Sequence, residues 1–242
     1  GLPPGETRRL ARGLLKALDG AAGHPTLSVG LRALASDPAT ALAQVLEAAE
    51  RHLPEPLEAE RVLQQALALN PALPQRAQLW EFLSDAWAAA PGGQGAPGES
   101  PRIPALEALG RAQTILEGLP NETEALARVL RKRALLELEL RRLPEALASI
   151  QTAAACLAKL PRHPEQARLR LALGRIHLME GHPGKGVKAL EEGLQLLQAC
   201  EEAGCARDTG LLLLELGCAQ AERGQFQRGL ASLRNAQRLL EP

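Results

Sequence analysis

Five short residue sets recur along this chain and restrict its fold more than any other feature. They are Ala59/Val62/Leu63/Ala66, Ala105/Leu106/Leu109/Ala112, Ala146/Leu147/Ile150/Ala153, Gly186/Val187/Leu190/Gly193 and Gly229/Leu230/Leu233/Ala236. Each opens on Ala or Gly, carries an apolar residue four positions on and closes on Ala or Gly at the seventh. That spacing lines the set up on one side of an α-helix, where small residues let a second helix approach closely. Successive sets lie 46, 41, 40 and 43 residues apart, and self-similarity at roughly 20–50 residues is the mark of a solenoid. Such repeats cannot bury their apolar faces alone; they stack on neighbours and present extended surfaces suited to binding.

Composition points to helices as the repeating element. Aromatic residues make up 2% of the 242 and Tyr is absent, so the interior has to be built from Leu and Ala. Strand-forming runs of Val, Ile, Thr and Tyr are missing, and the expected fold is all-α. The formal net charge is zero, from 28 basic and 28 acidic residues, which argues against a direct nucleic-acid binder, whose footprint is a basic excess. No apolar run approaches the ~20 residues needed to span a bilayer, and no signal peptide opens the chain. A cytoplasmic home without membrane attachment is expected. The chain starts at Gly1 and its only Met is Met179, which reads as a piece of a longer protein. Cys156, Cys200, Cys205 and Cys218 occupy helical positions where Ala would fit, so buried thiols are the first reading. Cys200 and Cys205 flank a turn at Ala203-Gly204 and leave a local disulfide open; a metal site is the remaining option.

Gly and Pro punctuation divides the chain into helix pairs. Residues 1–36 read as an N-terminal helical hairpin, a cap or the end of a preceding domain, with helices over Thr7–Leu18 and Pro25–Ala35. Asp37-Pro38 opens an array over 37–242, since Asp caps helices and Pro suits the first turn. The first repeat pairs Ala39–His52 with Glu55–Leu69. The second pairs Gln75–Ala89 with Pro104–Glu117 across a flexible insertion at 91–101, which begins Pro91-Gly92-Gly93-Gln94-Gly95. The third spans Glu122–Ala158 with a turn near Arg142-Leu143-Pro144. The fourth spans Pro164–Cys200, turning at Glu180-Gly181-His182-Pro183-Gly184. The fifth spans Ala206–Leu240, turning at Arg223-Gly224-Gln225. Asn121-Glu122-Thr123 starts a helix with Asn or Thr as its cap.

Trp80, Leu83, Ser84 and Trp87 in the second repeat have the spacing of the first four signature positions of the tetratricopeptide repeat (TPR). Leu173, Gly174, Gly181, Gly186, Leu190 and Gly193 match in the fourth repeat, and Leu213, Leu216, Gly217, Gly224, Phe226, Gly229, Leu233 and Ala236 in the fifth. Ala59, Leu63, Ala66, Asn70 and Pro71 close the first. Over Ala39–Leu240 the chain therefore resembles the tetratricopeptide family. The resemblance implies a right-handed α-solenoid of about five helix-turn-helix repeats. The steps exceed the family's ~34 residues and most aromatic positions hold Leu. In this the chain looks like the longer repeats that follow the ATPase core in large bacterial signal-transduction NTPases and transcriptional regulators.

Catalytic motifs are missing. Gly181-His182-Pro183-Gly184-Lys185-Gly186 lacks the spacing and hydroxyl of a phosphate-binding loop, and no GxSxG, HExxH or paired CxxC occurs. His24, His52, His163, His177 and His182 are dispersed, and His177 takes the family's Tyr-like position, which implies packing between helices. The expectation is a protein that is not an enzyme and holds neither cofactor nor metal. In the resembled family the first helix of each repeat lines an inner, concave surface. Carried over, that surface holds Arg128, Arg131, Leu135 and Leu138 in the third repeat and Arg168, Leu171, Arg175 and Leu178 in the fourth. Gln78, Glu81 and Asp85 would add to it from the second repeat, and Leu211, Leu214 and Ala221 from the fifth. The candidate partner-binding residues are Arg128, Arg131, Arg168, Leu171, Arg175 and Leu178, since Arg forks grip carboxylates in bidentate fashion. The plainer reading, which carries the greater weight, leaves them as surface residues paired with nearby Glu. The expected partner is a protein or peptide segment, acidic in part, with self-association also allowed. The expected function is an interaction scaffold within a larger bacterial regulator; the alternative is a small-molecule sensor binding on the same surface.

Overall fold

The computed structural model describes residues 60, 63–64, 66–67, 72–89, 100–158, 160, 163–198 and 205–241. The N-terminal hairpin, the first helix of the first repeat and the segment 91–99 lie outside the described residues, as does Cys200. The chain divides into two compact units, Gly1–Pro120 and Asn121–Pro242.

All regular structure among the described residues is helical. In the first unit, helical residues near position 63 bury Leu63 and Ala66, members of the first small-residue set. They are followed by α1 (Leu73–Ala89) and α2 (Arg102–Glu117), which pack as an antiparallel pair. α2 begins two residues before the expected Pro104, because Pro is tolerated in a first turn whose N–H groups have no helical partner. Arg111 lies over Trp80, its guanidinium carbon 4.5 Å from the ring centre, and ties the pair together by a cation–π contact.

The second unit holds three pairs: α3 (Thr123–Glu139) with α4 (Leu143–Cys156), α5 (Pro164–Met179) with α6 (Pro183–Leu197), and α7 (Cys205–Glu222) with α8 (Phe226–Leu240). The first helices of these pairs start 41 residues apart, longer than the ~34 of the ordinary repeat. Ala146, Ile150, Ala153, Leu190 and Ala236 are buried at 3% exposure or less, so the sets seen in the sequence are the packing faces of α4, α6 and α8. α3, α4 and α5 share one apolar cluster; α5, α6 and α7 share the next. Val187 on α6 is buried in the second cluster, whereas Leu230, at the matching position of α8, is 45% exposed. The difference is the neighbouring pair, which covers one and not the other.

The pairs close by one recurring turn. The N–H of Arg142 donates to the carbonyl of Glu137 at 2.8 Å and that of Arg141 to Leu138 at 3.0 Å; His182/His177 with Gly181/Leu178, and Gln225/Gln220 with Gly224/Ala221, repeat the pattern. These are Schellman closures, which require a left-handed residue just past the helix. Gly181 and Gly224 supply it at φ 76°, and Arg141 supplies it at φ 60°.

Where the family's Tyr would stand, this Tyr-free chain places Glu137, His177 and Gln220. Ser149 donates to Glu137 at 2.8 Å and Ser232 to Gln220 at 3.0 Å, each from the second helix of the pair. Arg133 also donates to Glu137, at 2.8 Å, so this carboxylate, 2% exposed, is compensated on both oxygens.

Two local expectations are corrected. α3 is capped at Glu122 without a side-chain cap bond rather than by Asn121 or Thr123. Buried thiols describe none of the three described cysteines: Cys205 is buried but disulfide-bonded, Cys156 is half-buried, and Cys218 is exposed.

Candidate functional site

The first helices of the three pairs in the second unit, α3, α5 and α7, lie side by side. Together they line a cavity of about 460 Å³ with Arg131, Leu135, Arg168, Leu171, Ala172, Arg175, Arg207, Asp208 and Leu211. A second cavity on the same helices, about 410 Å³, is lined by Leu138, Arg175, Leu178, Met179, Glu215, Cys218, Ala219 and Glu222. Four of the six candidate residues, Arg131, Arg168, Leu171 and Arg175, therefore meet in the first cavity. Leu178 joins Arg175 in the second, and Arg128 is half-buried and lines neither. Leu211 takes part; Leu214 and Ala221 do not. Glu81, placed on the same surface by sequence, is buried on α1 in the other unit at 7% exposure.

The arginines are committed to carboxylates across repeats. Arg131 on α3 donates to Glu165 on α5, and Arg168 donates to the other oxygen of Glu165 at 3.1 Å. Arg168 also reaches Asp208 on α7 at 2.8 Å, and Arg175 reaches Glu215 on α7 at 2.7 Å. The chain Arg131–Glu165–Arg168–Asp208 thus links all three helices. Glu165 is 2% exposed and Arg131 16%, so the first link is largely sheltered from solvent screening. Glu165 and Asp208 occupy first turns of their helices, where a carboxylate also complements the helix dipole. Burial works against the charge of Arg168, but the hydrogen bond to Glu165 and the charge and hydrogen bond of Asp208 outweigh it. Its guanidinium is held above its ordinary pKa and remains a fixed cation.

Arg207 is the cation in the first cavity that stays open. It is exposed and makes no ion pair among the described residues. Sequence reading missed it because it lies one turn ahead of the register that selected Leu211. The acids of the ladder were missed too, although Glu165 and Asp208 are separated by 43 residues, the same step as Gly186 to Gly229. A third group gathers outside the cavities: His177, Glu180 and His182, dispersed as single residues in the sequence, converge at the α5–α6 turn.

With this geometry in hand, the chain can be set beside known proteins. No family model matches it, and no curated protein does. Among solved structures it is similar to BtubC (BKLC) from P. vanneervenii, at 16% identity and a TM-score of 0.68, over 99% of this chain and 91% of that one. It is similar as well to a putative kinesin light chain from Podosopora anserina with nearly identical TPR-like repeats, at 19% identity and TM-score 0.61, over 90% and 96% of the two chains. The MamA RS-1 ArsTM double mutant follows at 16% identity and TM-score 0.52, over 84% and 95%. The fold is a TPR-like array of helix-turn-helix repeats. No described helix is long and apolar enough to cross a membrane.

Proposed function

We propose that the protein is a non-enzymatic interaction scaffold whose α3–α5–α7 face captures an extended or helical protein segment carrying carboxylates beside apolar side chains. One observation carries the reading: Leu135, Leu171 and Leu211 line the same cavity as Arg207, an exposed cation without an ion pair among the described residues. The leucines supply apolar contact, and Arg207 offers a planar fork to a partner's carboxylate. Arg131, Arg168 and Arg175 are satisfied by the protein's own acids, so they hold the helices in register and bias the local potential. The 41-residue repeat step also supports a longer-repeat array of the kind found in large bacterial regulators. A cytoplasmic setting belongs to this reading.

The test is binding of a fluorescent peptide in which Glu alternates with Leu, against a Lys/Leu peptide of equal length. The acidic peptide should bind, weaken with added salt, and lose about tenfold in affinity on Arg207→Glu, as expected for a charge-assisted contact worth about 1.4 kcal/mol. Equal binding of both peptides, or no effect of Arg207→Glu, would overturn the reading. The small-molecule sensor rests on one observation, a cavity of about 460 Å³ within the ~300–1,000 Å³ of ligand pockets. A metabolite that raises Tm while the peptides fail to bind would favour it.

A further inference from the structure

His177 lies in the last turn of α5, Glu180 follows it by three residues and His182 precedes α6. The backbone N–H of His182 donates to the carbonyl of His177 at 2.8 Å, which holds the two histidines across the turn that Gly181 closes. Glu180 Oε2 lies 2.9 Å from Nδ1 of His177 and 3.5 Å from Nδ1 of His182. One nitrogen or oxygen from each residue lies within 4.8 Å of the other two.

The sister turns show what the turn itself requires. The same backbone bonds form at α3–α4 and α7–α8. There the positions matching His177, Glu180 and His182 hold Glu137, Leu140 and Arg142, or Gln220, Arg223 and Gln225. The turn thus closes without any of the three ligand residues. His177 stands at an interhelical position, but the imidazole of His182 and the carboxylate of Glu180 beside it are not required to close the turn.

We propose that His177, Glu180 and His182 form a binding site for one divalent transition-metal ion of the zinc class. Bonds of about 2.0–2.2 Å from zinc to imidazole nitrogen and carboxylate oxygen place tetrahedral ligand atoms roughly 3.3 Å apart. The present separations, 2.9 and 3.5 Å from Glu180 Oε2 to the two imidazoles and within 4.8 Å throughout, bracket that value. A nitrogen-rich set with one carboxylate suits Zn²⁺, Ni²⁺ or Cu²⁺ and not the all-oxygen preference of Ca²⁺ or Mg²⁺. Three protein ligands leave a position for water or a fourth ligand. The bound ion would join the end of α5 to the start of α6.

The experiment is calorimetric titration of Zn²⁺ into the full chain, stripped with chelator, at neutral pH, with Mg²⁺ as the contrasting ion. One Zn²⁺ per chain should bind, raise Tm and be reversed by chelator, and Mg²⁺ should do neither. His182 is 53% exposed, so His182→Ala leaves the fold in place and should weaken Zn²⁺ at least about tenfold. Glu180→Gln should do the same, and Cys156→Ser with Cys218→Ser should leave binding intact. Absence of Zn²⁺ binding overturns the site. So does binding that survives both His182→Ala and Glu180→Gln, or that disappears with the cysteines.

Discussion

Gly229 marks a close approach of two backbones in the last pair, and adding one methyl there gives a sharp test of the packing. A Cβ at Gly229 would stand 2.8 Å from the carbonyl oxygen of Gly217 and 3.1 Å from the backbone nitrogen of Ala221. Both are main-chain atoms of α7 and cannot rotate away, so the helices have to separate. Overpacking of this kind costs about 1–3 kcal/mol. Ala also gains about 0.8–1 kcal/mol over Gly in a helix interior, whatever it touches. Gly110 isolates that gain, because a Cβ there meets nothing within 4 Å. Gly110→Ala should therefore stabilise by up to about 1 kcal/mol. Gly229→Ala should be neutral to destabilising by about 2 kcal/mol, and the gap between the two variants is the overpacking term, about 1–3 kcal/mol. Urea unfolding followed by circular dichroism reads the totals. Hydrogen exchange of α7 and α8 amides reads the last pair by itself, since end repeats can open before the rest. Two helices that part freely would make Gly229→Ala as stabilising as Gly110→Ala, and the close-approach explanation of the small-residue sets would then fail.

Two further outcomes follow from the turns and the ion ladder. Arg141 holds a left-handed conformation that costs an L-residue roughly 1–2 kcal/mol, so Arg141→Gly should stabilise by up to about 1 kcal/mol after the entropy of glycine is counted; a lower Tm for this variant would refute the strain. Glu165→Ala leaves Arg131 and Arg168 without their shared carboxylate and should cost about 1–3 kcal/mol in urea unfolding; a loss under about 0.5 kcal/mol would reduce the ladder to ordinary surface pairs.

The helix pairs and their packing faces were legible because both are local. Spacing of four and seven small or apolar residues defines a helix face from its own sequence, and Gly181 and Gly224 mark where two of the turns must fall. Arg141 does the same work without a local signal, since nothing about Arg in sequence announces a left-handed residue. The missing Tyr was legible as an absence, but its replacement by Glu137 with Ser149 and by Gln220 with Ser232 depends on a partner 12 residues away on the second helix. The ladder was harder still. Arg131 finds its acid 34 residues on and Arg168 finds Asp208 40 residues on, so one arginine pairs out of step with the other. Helical periodicity assigns a face to each residue but leaves open which turn of the neighbouring helix stands opposite. A zero net charge is equally consistent with paired and unpaired arginines.

That pairing changes what the face can recognise. A partner carboxylate aimed at Arg131 or Arg168 competes with Glu165 and Asp208, which are already within hydrogen-bond distance and pre-organised on helix first turns. Displacing either acid would leave it without its cation, and for the buried Glu165 that penalty is of the order of a lost charged hydrogen bond, about 1.5–3 kcal/mol. Selectivity must then come from groups that have no internal partner to give up. In the first cavity those, among the described residues, are Arg207 and the leucines around it, on the proposed reading of the face. A binder that fits them needs one well-placed carboxylate flanked by apolar side chains, and a run of acids would gain little more. The ladder, for its part, fixes the spacing of α3, α5 and α7 and so keeps Leu135, Leu171 and Leu211 at the separation such a segment would have to match.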